Sequence, residues 1–264
     1  MAFESVTFWC EFPKKVNWEG FLRIIDFPCN IYITARTRKE FELGKNKIKN
    51  KFIKVGAWPI LSFEEGYWFS GLSKKESIDK LKEFKGLKIK IDLEPPIKFR
   101  SYSDIKALFY SIKYLLFKRY PRNEYLLKTI YKLSETTDII ASGYPFPYWL
   151  SKRYGGNVQP NKRIRKNYFI YTTYFPQTLK GILYLYYRNF IKKRLKEENA
   201  MFALGCIGAG IFGNERVYKN VNEFRKDLVI FLKLGVKHLV VFEIAGIMQR
   251  DHPEEWIQAI REHF

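Results

Sequence analysis

The chain has 264 residues, and 47 Lys and Arg against 27 Asp and Glu give a formal charge of +20. Hydrophobic residues make up 47%, mean hydropathy is −0.29, and no apolar run approaches the about 18 residues a membrane helix needs. Cys10, Cys29 and Cys206 are odd in number and far apart, which argues against a disulfide framework or zinc knuckle, and three histidines are too few for a centre built on several imidazoles.

Short β-branched or aromatic runs alternate with longer amphipathic ones. Strands are predicted at residues 6–12 (VTFWCEF), 30–35 (NIYITA), 52–61 (FIKVGAWPIL), 87–94 (LKIKIDLE), 138–143 (DIIASG), 168–175 (YFIYTTYF), 201–207 (MFALGCI) and 238–245 (HLVVFEIA). Between them lie helical patterns at 17–26, 37–50, 73–84, 103–120, 147–154, 178–199 and 221–235, and 252–264 closes the chain. A second helical piece, 122–137, lengthens the fourth unit. This alternation implies parallel strands joined by crossover helices. Eight units over a length near the roughly 250 residues typical of the fold predict a single (β/α)8 TIM barrel, one domain over residues 1–264. No Gly-x-Gly-x-x-Gly follows the first strand, so no dinucleotide is implied and no cofactor is expected. The N-terminal MAFESVTFWCEFPKK places an acid where a signal peptide wants a base, so a cytoplasmic location is expected.

Alternate residues of a barrel strand face the lumen, and active sites sit at the strands' C-terminal ends. In strand four, Ile89, Ile91 and Leu93 suit the helix layer, while Lys88, Lys90, Asp92 and Glu94 should point inward; Pro95 and Pro96 then end the strand. Two cations and two anions in one lumen require mutual pairing, with Lys90 as support for the acids. Strand one carries Thr7, Trp9 and Glu11 on one face, and strand eight ends in Glu243. Glu94 and Glu243 are therefore expected to face one another across the mouth, as two carboxylates flanking a scissile bond do. The loop SFEEGYWFSGLS adds Glu65, Tyr67 and Trp68, and Tyr144 and Tyr174 supply further aromatic surface for stacking on a sugar or base. The four glycines of GCIGAGIFGNE are read as close loop packing.

IDLEPP (91–96), AWPILSFEEGYWFS (57–70) and VVFEIAG (240–246) together resemble a poorly characterised family of TIM-barrel proteins with a D-I-E-P-like strand four. More distantly, the segment from Lys90 to Glu94 resembles the strand-four D-x-D-x-E of chitinase-like glycoside hydrolases. That resemblance implies Glu94 as the acid protonating the leaving oxygen, Asp92 as its partner, and Tyr174 as the strand-six tyrosine. Lys90 replaces the first Asp, no S-x-G-G stands on strand three, and strand eight ends in Glu243 rather than Trp. A two-carboxylate mechanism therefore fits better than a substrate-assisted one.

The leading expectation is a glycoside hydrolase-like enzyme acting on a carbohydrate or other small sugar-containing molecule. Glu94, Asp92 and Glu243 would be catalytic, with Glu11, Trp9, Glu65, Tyr67, Trp68, Tyr144 and Tyr174 binding substrate. One alternative is a non-catalytic barrel binding RNA or another polyanion, since a +20 chain holds polyanions nonspecifically at low salt. Another is a metal-dependent sugar isomerase using Glu11, Asp92, Glu94 and Glu243 as oxygen ligands.

Overall fold

The computed structural model describes residues 2–97, 114, 118–174, 180–197 and 199–264. Eight parallel strands close in sequential order, β1 pairing with both β2 and β8. They are β1 (Ser5–Cys10), β2 (Cys29–Ala35), β3 (Ile53–Pro59), β4 (Ile89–Asp92), β5 (Ile139–Gly143), β6 (Ile164–Phe169), β7 (Met201–Cys206) and β8 (His238–Phe242). The helices are α1 (Trp18–Ile24), α2 (Arg38–Lys45), α3 (Lys75–Asp79) followed by a 3-10 turn (Lys80–Phe84), α4 (Asn123–Ser134), α5 (Tyr148–Tyr154), α6 (Lys180–Arg194), α7 (Val221–Leu234), α8 (Ile244–Met248) and α9 (Pro253–Arg261). The helical pattern at 103–120 lies almost wholly outside the described residues. No helix among those described is long and apolar enough to cross a membrane.

Strand alternation divides the interior into two cores. Ile31, Ile89, Ile91, Phe202, Leu239 and Val241 point outward and pack beneath the helices. Trp9, Trp58, Ile140, Met201, Val240 and Phe242 fill the lumen. Local signals set the helix starts: Asn17, Thr37 and Asn220 each accept a backbone N–H of the first turn, as N-caps do. α7 ends at Gly235, whose φ of 87° is the left-handed conformation that glycine adopts without steric cost.

Two elements depart from expectation. Strand six runs Ile164–Phe169, not 168–175. Arg165 and Asn167 lower its apolar content, but inward-facing polar side chains are tolerated where the lumen is itself polar, and packing outweighs propensity. The aromatic stretch after Phe169 leaves the sheet and becomes part of the rim. β8 ends at Phe242, and the chain turns at once into α8 with Glu243 as its N-cap.

The top of β4 is held by neighbours on both sides. Phe69, from the loop after β3, forms an isolated parallel bridge with Leu93, taking a bond from Glu94 N and donating to Asp92 O, each at 3.3 Å. Leu93 N donates to Ser142 O of β5 at 3.0 Å. The two carboxylates of β4 are therefore carried on backbone fixed beyond the strand's formal end.

Candidate active site

Lys90, Asp92 and Glu94 line a narrow cavity of about 30 Å³ at the C-terminal ends of the strands. The Lys90 Nζ lies 2.7 Å from Asp92 Oδ2, 3.1 Å from the centre of the Trp58 ring and 3.7 Å from that of Trp9. Its side chain is fully buried. Burial pulls the ammonium down to about 8, against the opposing pull of Asp92 and Glu94. The surrounding indole faces and one carboxylate are what an enclosed cation requires.

Burial also raises the Asp92 carboxyl, while Lys90 favours its charged form. Its Oδ1 is buried without a hydrogen bond of good geometry, as are Trp58 Nε1 and Ser142 Oγ, although both of those donors lie close enough to favour the carboxylate. Glu94 is pushed up to about 8, first by burial and then by the Asp92 charge, with a bond from Tyr144 and the charge of Lys90 acting in the other direction. Burial and the Asp92 charge thus both favour the protonated form of Glu94, the form from which a general acid acts.

Across the cavity stand Glu11 and Glu215. Glu11 follows β1, accepts a bond from the Tyr67 hydroxyl, and is raised well above the ordinary range by burial and by Glu243. Its backbone oxygen accepts from Thr34 Oγ1 at 2.8 Å. Glu215 takes the Phe212 N–H on Oε1 at 3.1 Å, and its Oε2 is buried without a hydrogen-bond partner. Gly210 lies between the two acids, since a β-carbon there would sit 2.9 Å from both Glu11 Oε2 and Glu215 Oε1.

Glu243 is elsewhere. Its Oε1 accepts from Gly246 N at 3.0 Å and its Oε2 from Glu11 N at 3.3 Å, so both oxygens hold backbone and the side chain does not line the cavity. Burial raises it to about 7. It braces Glu11 from behind instead of facing Glu94. Glu65 is also outside the cavity: it takes two bonds from Lys80 at 2.7 and 2.8 Å and one from Ser77 at 2.6 Å. Although burial opposes it, these bonds hold Glu65 at about 2 and tie the loop after β3 to the 3-10 turn.

The aromatic residues divide in the same way. Trp68 lines the cavity and stacks on Trp58 at 6.0 Å with planes 6° apart. Tyr67 touches Trp68 edge-on at 4.3 Å and is fixed by an unusual φ of 64° following Gly66 at 102°. Tyr144 and Tyr174 line the cavity, and Trp9 lies beneath it under Lys90. Sequence reasoning did not single out Trp58, Tyr171, Phe212 or Glu215, all of which line it. Trp58 was accessible to the alternation argument, since it lies two residues beyond Gly56 on the lumen side of β3. Glu215 stood at the end of the glycine-rich segment, where attention fell on the glycines. Those do pack closely: added β-carbons at Gly208 and Gly246 would each lie within 2.6 Å of the other's Cα.

Among the described residues, no three acidic, imidazole or thiol side chains converge as metal ligands would. Glu11, Asp92, Glu94 and Glu243 therefore do not form the shared oxygen cage that the isomerase alternative needs.

Fold and site together define a TIM barrel with an acidic, aromatic mouth around a buried lysine. No family model matches the chain, and no curated protein matches it in sequence at a significant level. The solved glycoside hydrolase domain of PgaB (BpsB) from Bordetella bronchiseptica aligns with a TM-score of 0.62 over 98% of this chain and 99% of that one, at 10% identity. A xylose isomerase domain protein from Planctomyces limnophilus aligns with a TM-score of 0.51 over 99% and 98%, also at 10% identity. At such identities the likeness establishes the barrel fold.

Proposed function

We propose that this chain is a glycoside hydrolase-like enzyme acting on a sugar-containing substrate at the C-terminal mouth. The observation that carries the reading is Glu94, a buried carboxyl beside the Lys90–Asp92 pair in a cavity walled by Trp58 and Trp68, where burial and the Asp92 charge favour its protonated form. Glu94 delivers its proton to the leaving glycosidic oxygen. Lys90 offsets the negative charge that then accumulates on two neighbouring carboxylates. Glu215, with one buried oxygen free of hydrogen bonds, is the opposing carboxylate that directs water or stabilises the developing cation. Glu11 shapes that wall, positioned by Tyr67 and Glu243. Trp68, on the cavity wall, offers aromatic surface against which a sugar ring can settle. The barrel shared with the PgaB glycoside hydrolase domain is consistent with this chemistry.

The test is a screen of neutral and amino-sugar oligosaccharides with wild-type protein and Glu94→Gln. Hydrolysis by the first and not the second supports the reading; equal rates from both would refute it.

A further inference from the structure

The opposite end of the barrel holds a second and larger cavity, about 270 Å³, at the N-terminal ends of the strands. Lys88, just before β4, and Lys162, Arg163 and Arg165, at the start of β6, bring four cations to it against one carboxylate, Asp138. Asp138 is taken by Arg163 at 3.0 Å. Among the described residues, no carboxylate lies within ion-pair distance of Lys88, Lys162 or Arg165. Arg165 is half-buried, and its charge reaches both Tyr32 on β2 and His238 on β8, so it addresses the middle of the opening.

A second observation points into the same space. Thr7 lines this cavity, its side chain is fully buried, and its Oγ1 has no hydrogen-bond partner. An unpaired buried hydroxyl is destabilising, and gathering unpaired cations in one walled space adds self-repulsion. A bound anion relieves both: it accepts the hydroxyl hydrogen bond and neutralises the charge.

We infer that the N-terminal mouth of the barrel is a binding site for a small phosphorylated molecule, distinct from the acidic mouth at the other end. The three-charge excess exceeds what a single carboxylate offers and suits a phosphate monoester or pyrophosphate. The Arg165 guanidinium supplies the planar donor fork that engages phosphate oxygens in pairs, and Lys88 and Lys162 act as mobile point charges.

Calorimetric titration with inorganic pyrophosphate, in phosphate-free buffer held at about 0.15 M ionic strength, tests this. Saturable binding is expected, weakened about tenfold or more by Arg165→Gln or by Lys88→Gln. Thr7→Val, which removes the hydroxyl and keeps the shape, should weaken it without changing the charge. Lys192→Gln with Lys193→Gln, on α6, removes two surface charges elsewhere and should leave binding unchanged. Absence of saturable binding, or equal weakening in the α6 control, would overturn the site and assign any affinity to general surface charge.

Discussion

Lys90 and Asp92 form an ion pair of 2.7 Å with both side chains sealed from solvent, two residues apart on one strand. Removing one partner of such a pair leaves the other charge stranded. Lys90→Met is expected to cost about 3–5 kcal/mol, whereas Lys88→Met, at the exposed entrance to the strand, should stay within about 0.5 kcal/mol. Chemical denaturation of the two variants measures the difference, and equal midpoints would show that the pair contributes nothing.

Glu94→Gln preserves shape and removes the acid. Turnover is expected to fall by about 10²–10⁴, with the circular dichroism spectrum unchanged. A variant that retained wild-type turnover would remove Glu94 from the mechanism.

The raised carboxyl of Glu94 also sets a stability trend. Its folded value of about 8 lies above the ordinary 4.5, so between those values the folded state holds a proton that the unfolded state has released. Stability therefore falls as pH rises through that window and levels off beyond it. Glu243, at about 7, adds to the slope in the same direction. Melting temperatures between pH 5 and 8 should decline more steeply in wild type than in Glu94→Gln, and parallel curves would contradict the assignment. The proton-donating form is lost over the same range, so activity should fall on the alkaline side near pH 8.

Glu215 and Glu243 should separate cleanly. Glu215→Gln is expected to reduce turnover by about 10²-fold or more if it serves the opposing role. Glu243→Ala removes a helix cap and should cost about 0.5–2 kcal/mol of stability, with Glu243→Gln retaining most turnover. The reverse pattern in steady-state kinetics would return the second carboxylate to Glu243.

Salt distinguishes the mouth from the basic surface. Nucleic acid affinity is expected to drop about 10³-fold or more between 50 and 200 mM salt if six or more phosphates are contacted. Binding of a neutral oligosaccharide should be nearly indifferent to salt and should weaken in Trp68→Ala. RNA binding that survives physiological salt in the absence of any saccharide binding would favour the polyanion-binding alternative.

The barrel and strand four were legible because period-two alternation survives in LKIKIDLE: apolar residues alternate with charges whose burial only a lumen can explain. Lys90, Asp92 and Glu94 follow from that pattern alone. Glu243 was harder to place, since the same alternation groups it with Leu239 and Val241, while its helix-capping role has no strong signature. Ser, Thr, Asp and Asn are the usual caps, and a glutamate there reads as the last residue of a strand. Strand six was hidden by its own chemistry. Arg165 and Asn167 look unlike core, and the aromatic run beyond them looks more like a strand than a rim. Glu65 was misleading for another reason: its partners, Ser77 in α3 and Lys80 in the turn after it, lie 12 and 15 residues away in a fold that the local sequence does not announce.

The two cavities oppose each other along the barrel axis. One is lined by four carboxyl groups and a single ammonium, the other by four cations and a single carboxylate. Between them the lumen is plugged by Trp9, Trp58 and Lys90, so the two ends do not share solvent. The N-terminal end, with its three-charge excess, is therefore the more positive of the two on a chain that is basic overall. At ionic strengths where fields reach about 10 Å or more, it meets an anionic surface with its lower face leading. Immobilised on such a surface, it would stand with the acidic mouth turned outward.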